Sequence, residues 1–87
     1  MKADRKKVSR LLKTARGQID GIIKMVEEDR YCIDVFNQIL ATRSLLNSVN
    51  KEIIHGHLEN CVKQSFEEGK EEEKIAEVLM IMDKLSK

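Results

Sequence analysis

Apolar residues recur at three- and four-residue steps over the first third of the chain: Val8, Leu11, Leu12, Ala15, Ile19, Ile22, Ile23 and Val26. That period predicts an amphipathic helix over roughly residues 4 to 28, with its basic groups off the apolar stripe. The polar run EEDRYC interrupts the pattern. From about Ile33 to Phe66 it resumes through Val35, Phe36, Ile39, Leu40, Leu45, Leu46, Val49, Ile53, Leu58 and Val62 without a breaker. One long helix over about residues 32 to 66 follows, roughly 50 Å at 1.5 Å per residue. The first helix is too short to cover it, so much of its apolar face must find another chain. Past Gly69, the residues Ile75, Val78, Leu79, Met82 and Leu85 define a third helix over about residues 71 to 86. The whole of 1–87 reads as a single all-α domain.

Composition agrees with this pattern. There is no proline, glycine is sparse, and 36% of residues are charged, which suits long helices rather than a sheet. A domain of 87 residues buries a limited fraction of its surface, so self-association is the expected source of extra core. One Tyr, two Phe and no Trp make a poor platform for stacking single-stranded bases. No apolar run approaches the length of a membrane span, and nothing resembles a signal peptide, so the expected setting is the cytoplasm, with no membrane partner. Thiols stay reduced there. Cys32 and Cys61 are then ligands, redox centres or ordinary buried residues rather than a structural disulfide.

The net charge of +1 hides an asymmetry. Lys2, Arg5, Lys6, Lys7, Arg10, Lys13 and Arg16 face a single acid, Asp4, in the first sixteen residues, whereas EEGKEEE at 67 to 73 is strongly acidic. The N-terminal stretch is the part fit for a polyanion. Gly17 and Gly21, four apart in RGQIDG, fit close helix packing; the alternative is room for another backbone or a phosphate. There is no helix-turn-helix pattern, zinc-finger spacing, internal repeat or glycine-rich phosphate loop. Nor does any nucleophile pair with a base and an orienting acid, which argues against an enzyme.

The chemistry concentrates in HGHLENC at 55 to 61. On a helix His57 and Cys61 share a face, so imidazole and thiol converge, while His55 points elsewhere as an exposed polar residue. Cys32 lies 25 residues before His57, about 37 Å away on a straight helix, and cannot join them within one chain. Two long helices packed antiparallel about a two-fold axis near Leu45 and Leu46 would bring Cys32 of one chain to His57 and Cys61 of the other. Symmetry then makes two such sites per dimer. Two thiolates and an imidazole suit Cu(I), or Zn(II) with a fourth ligand. Simple burial of the two cysteines is the competing reading.

The run RLLKTARGQIDGIIKMVEEDRYCIDVFNQI, followed by HGHLENC at this spacing, resembles the CsoR/RcnR family of bacterial metal-responsive repressors. The set Cys32, His57, Cys61 is similar to the ligands of its copper-sensing branch. The resemblance covers nearly the whole chain. It implies an antiparallel four-helix-bundle dimer that assembles to a dimer-of-dimers tetramer, binds double-stranded operator DNA and releases it on Cu(I) binding, so that copper efflux genes are expressed. It also implies that Tyr31 and Glu77 act around the histidine as outer-shell residues. By themselves these two read as a half-buried helix cap and part of a solvated helix face.

For DNA, Lys13 and Arg16 match the family's LKTxRG run. Leu11 and Ser48 stand where some members carry an arginine, and Arg10 and Lys51 are the expected substitutes. Nickel and cobalt sensors of the family often carry an N-terminal histidine, which MKADRKK lacks, and persulfide sensors lack the histidine ligand. Formaldehyde sensors lack the second cysteine and carry a proline where this chain has Lys2. A nickel-responsive repressor remains the nearest competitor within the family. A copper-buffering bundle without a DNA role is the competitor from another class.

Overall fold

Asp4 sets the first boundary. Its carboxylate accepts a hydrogen bond from the Lys7 backbone N–H at 3.1 Å, capping helix α1, Arg5–Glu27. Residue 29 ends it: Asp29 adopts a left-handed φ of 54°, the Asp29 N–H bonds the Val26 carbonyl, and the Arg30 N–H bonds the Met25 carbonyl. This paired closure satisfies carbonyls that a helix end otherwise leaves bare. Helix α2, Cys32–His57, then begins behind Tyr31 and leads into a π-helical turn, Leu58–Val62, and a short helix α3, Lys63–Glu68. The same closure recurs at Gly69, with φ of 73°, through Lys70 N–H to the Ser65 carbonyl at 2.8 Å. Glycine takes that conformation without the Cβ clash that Asp29 bears. Helix α4, Glu71–Ser86, completes the chain.

The computed structural model describes the backbone of residues 1–86 and the side chains of all of these except residues 61, 62 and 86. Because α2, the π turn and α3 run on without a break, the chain forms three helical rods, the all-α architecture that the apolar period predicts. The middle rod, residues 32–68, should be about 55 Å long at 1.5 Å per residue. The molecule measures 56 × 27 × 12 Å, so this rod sets its long axis. Among the described residues no helix is long and apolar enough to cross a membrane.

Helices α1 and α2 pack side by side through small residues and one polar pair. Val8, Ala15 and Val49 are buried, and Thr42, also buried, donates from its hydroxyl to Gln18 Oε1 at 2.8 Å across the two helices. A buried hydroxyl needs such a partner, and this one also fixes the register of the pair. Gly17 and Gly21 take no part: a Cβ at either would meet nothing within 4 Å. The close packing expected of them is therefore not made within the protomer. Gly56 is the close-packed glycine instead. A Cβ there would stand 2.6 Å from the Ala3 Cα, so the N-terminal segment lies directly on the backbone of α2.

Much of the apolar stripe stays uncovered. Ile23, Val26, Phe36, Ile39, Leu79 and Met82 are all exposed, Phe36 by 58%. The radius of gyration of 17.3 Å exceeds the roughly 12 Å expected of a compact chain this long. Apolar faces of this extent mark association surfaces.

Candidate metal centre and basic surface

His57 closes α2 and adjoins the π turn. Its Nε2 meets Oε1 of Glu77 from α4, and Nζ of Lys74 reaches the other oxygen of that carboxylate at 3.3 Å. All three side chains are about one-third exposed. The hydrogen bond from His57 and then that from Lys74 hold the Glu77 carboxyl below its ordinary value. An ionised carboxylate can only accept, so Nε2 of His57 is the nitrogen that donates to it, and in a neutral ring Nδ1 is the nitrogen left for a ligand. A metal-ligating histidine is oriented in this way by a carboxylate on its second nitrogen.

The backbone of Cys61 lies four residues on, within the π turn, while its side chain lies outside the described residues. The α-helical i, i+4 relation expected of His57 and Cys61 is replaced here by a wider turn, since π geometry bonds i to i+5. Asn60 Nδ2 donates to the Gly56 carbonyl at 2.8 Å, bracing the entry to this turn. His55 is 71% exposed and pairs with Glu59 at 3.4 Å, away from His57.

Cys32 is an exposed free thiol in the first turn of α2. Tyr31 precedes it as the helix cap and is 65% exposed; its carbonyl accepts from the Asp34 and Val35 amides, and its side chain makes no capping bond. Within the protomer, then, Glu77 is brought to His57, whereas Tyr31 and Cys32 stand at the opposite end of α2. Among the described residues no cluster of three or more His, Cys, Asp or Glu side chains could hold a metal. An imidazole and an accessible thiol are donors that suit a soft ion, and among the described residues the two lie at opposite ends of α2.

Arg10 and Lys13 line an open cleft of about 710 Å³ on α1, together with Arg5, Lys6, Ser9 and Thr14 and with no acid among them. Arg16 shares an adjoining hollow with Arg5 and Lys13. Lys51 is exposed on α2 and lines neither cleft. Arg5 and Lys6 were not singled out by the family pattern. Their signal lay in the spacing: positions 5, 9 and 13, and 6, 10 and 13, fall three or four apart on one helical face.

The carboxylate-bonded imidazole of His57 and the thiol of Cys32 thus stand at opposite ends of α2. The model of the family described as metal-sensitive transcriptional repressor matches residues 4–84. The chain belongs to this family, the CsoR/RcnR family, whose members are repressors and not enzymes. It is 44% identical over 68 residues to the copper-sensing transcriptional repressor CsoR of Mycobacterium ulcerans (strain Agy99), a match covering 78% of this chain and 58% of that protein. The chain thus spans under two-thirds of that relative's length.

Two solved structures share the fold. The copper-sensing repressor CsoR with Cu(I) from Geobacillus thermodenitrificans NG80-2 superposes with a TM-score of 0.86 at 33% identity, covering 94% of this chain and 85% of that one. The nickel-responsive transcriptional regulator InrS superposes with a TM-score of 0.81 at 29% identity, covering 98% and 96%.

Proposed function

We propose that this protein is a Cu(I)-sensing transcriptional repressor of the cytoplasm, which binds double-stranded operator DNA in its metal-free form and releases it when Cu(I) binds, derepressing copper efflux and homeostasis genes. The observation that carries the reading is His57, held by Glu77 through Nε2, at the far end of α2 from the exposed thiol of Cys32. Two copies packed antiparallel along α2 bring Cys32 of one protomer to His57 and Cys61 of the other, and bury the apolar stripe that a single copy leaves bare. Cu(I) supplies a soft, low-coordinate centre that favours two thiolates and an imidazole.

The chain's own residues do the rest. Cys32 and Cys61 bind as thiolates, His57 binds through Nδ1, and Glu77 conveys the position of the ring to α4. Tyr31, next to Cys32, enters the same site from the other protomer. Arg10, Lys13 and Arg16 contact phosphates from α1, with Lys51 on α2, and in a tetramer of two such dimers the basic faces add. Coupling by charge neutralisation is a poor account, because a Cu(I) bis-thiolate centre is itself negative. Release follows instead from a shift between two arrangements of the helices.

Likeness to InrS favours a second reading, a nickel-responsive repressor. The two thiolates favour copper. The deciding experiment is anaerobic fluorescence anisotropy of the reduced, metal-free protein on the duplex upstream of its own gene, with Cu(I) or Ni(II) added to one equivalent per chain. Release by Cu(I) alone supports the copper reading; release by Ni(II) alone replaces it; absence of DNA binding leaves a copper-buffering bundle. Cys32→Ala should weaken Cu(I) binding at least a hundredfold in a chelator competition while operator affinity stays within about threefold, a free-energy loss of about 2.7 kcal/mol or more. His57→Ala should still bind Cu(I) through two thiolates yet lose most of its effect on DNA.

A further inference from the structure

Lys74 is singled out neither by the apolar period nor by the family resemblance, yet it sits on the carboxylate that faces His57. Its Nζ reaches Oε2 of Glu77 at 3.3 Å while Oε1 of the same carboxylate meets Nε2 of the ring, so both oxygens are held. Helix stability does not account for this pairing. Lys74 is the fourth residue of α4, close to an end where a cation opposes the helix dipole, and a lysine that precedes its glutamate on a helix is the less favourable order. Glu71, one turn earlier, keeps a buried carboxylate oxygen without a hydrogen-bond partner, yet the Lys74 ammonium pairs with Glu77. Lys74 also lines the polar hollow between α3 and α4 with Ser65, Glu68 and Lys70, at the corner where the chain reverses.

The double hold has a mechanical consequence. A glutamate side chain is long and rich in rotamers. Held at one oxygen only, its carboxylate can swing with the imidazole and absorb any movement of the ring. Held at both oxygens by charge-assisted bonds, it keeps one orientation, and movement of the ring must be taken up by the helix that carries it.

We propose that Lys74 is a positioning residue of the His57 site: it clamps the Glu77 carboxylate against Nε2, so that the ring keeps one orientation and its displacement on ligation passes into α4. The inference rests on the metal-responsive reading above and adds to it a residue that binds no metal.

Lys74→Met removes the ammonium and keeps the apolar stem, whereas Lys74→Arg keeps a cationic donor. The first readout is the Nε2–H proton of His57 in the metal-free protein, followed by NMR. Its exchange with water should speed about fivefold or more in Lys74→Met and stay within about twofold of the wild type in Lys74→Arg. The second readout is the ratio of operator affinities without and with Cu(I), by anisotropy. In Lys74→Met that ratio should fall about fivefold or more with one Cu(I) per chain still bound, and Lys74→Arg should restore it to within about twofold. Lys70→Met is the control: it deletes the same charge at the same corner, from a lysine that pairs with Glu68 at 3.9 Å, and should change neither readout. In a Glu77→Gln background, Lys74→Met should have no further effect on either.

Unchanged proton exchange or an unchanged affinity ratio in Lys74→Met, equal effects from Lys70→Met, or a full effect persisting beside Glu77→Gln would overturn the clamp and leave the function standing. A wild type whose DNA binding ignores Cu(I) would overturn the function, and with it the passage of movement into α4. The proton exchange of the metal-free protein would then decide by itself whether Lys74 holds the ring.

Discussion

Helices α1 and α4 begin in opposite electrostatic senses. The first turn of α4 carries Glu71, Glu72 and Glu73, which complement the partial positive charge of a helix N-terminus. The first turn of α1 has no acid at all and carries Arg5, Lys6 and Lys7, offset by the Asp4 cap and by Glu52 of α2, which pairs with Lys7 at 3.2 Å. Each exposed charge at a helix end is worth about 0.3–1 kcal/mol at low ionic strength. The acidic run of α4 is accounted for by its own helix. The basic run of α1 opposes its helix, and apart from the pairing of Lys7 with Glu52 the proposed function gives it a polyanion as its use.

The largest effect that could break this contrast is on DNA. Lys13→Ala combined with Arg16→Ala should lower metal-free operator affinity at least tenfold at fixed salt, and make the log–log salt dependence shallower by about one to two units. The urea midpoint should barely move, because both side chains are exposed. Unchanged DNA affinity would remove the basic face from the binding surface.

A smaller effect sits on the other side. Glu72→Gln with Glu73→Gln should reduce unfolding free energy by about 0.5–1 kcal/mol in low-salt urea titrations, and by less as salt is added. DNA affinity should stay within about twofold; a larger change would show that the acidic run is not confined to helix stability. The smallest effect sharpens the contrast at one residue. Arg5→Gln should raise stability by a few tenths of a kcal/mol while weakening DNA binding a few-fold, so that the two readouts move in opposite directions.

How far the sequence reached depended on the kind of interaction. Periodicity reports burial, so the helical rods and the interruptions near Asp29 and Gly69 were legible from apolar spacing and turn chemistry. The π turn was not, because five residues of LENCV carry no pattern that separates it from α-helix. Backbone contact leaves even less trace: nothing in HGH announces that Ala3 rests on Gly56, whereas Gly17 and Gly21, which looked like packing glycines, face open space. The pairing of Thr42 with Gln18 lies 24 residues apart in a seam of otherwise ordinary side chains. Glu77 as the partner of His57 was suggested by family resemblance and not by spacing, since twenty residues and a reversal of chain direction separate them.

The thinness of the protomer, 12 Å across its least dimension, reaches beyond recognition into supply. A slab with so little inside it gains stability by pairing in the proposed assembly, so its melting temperature should climb with protein concentration. Newly made copies that have not yet met a partner would present bare apolar helix to the cell's proteases. Those that have met one would be shielded. The pool of working repressor would then be trimmed by assembly itself, with unpaired copies cleared before they could compete for DNA or metal.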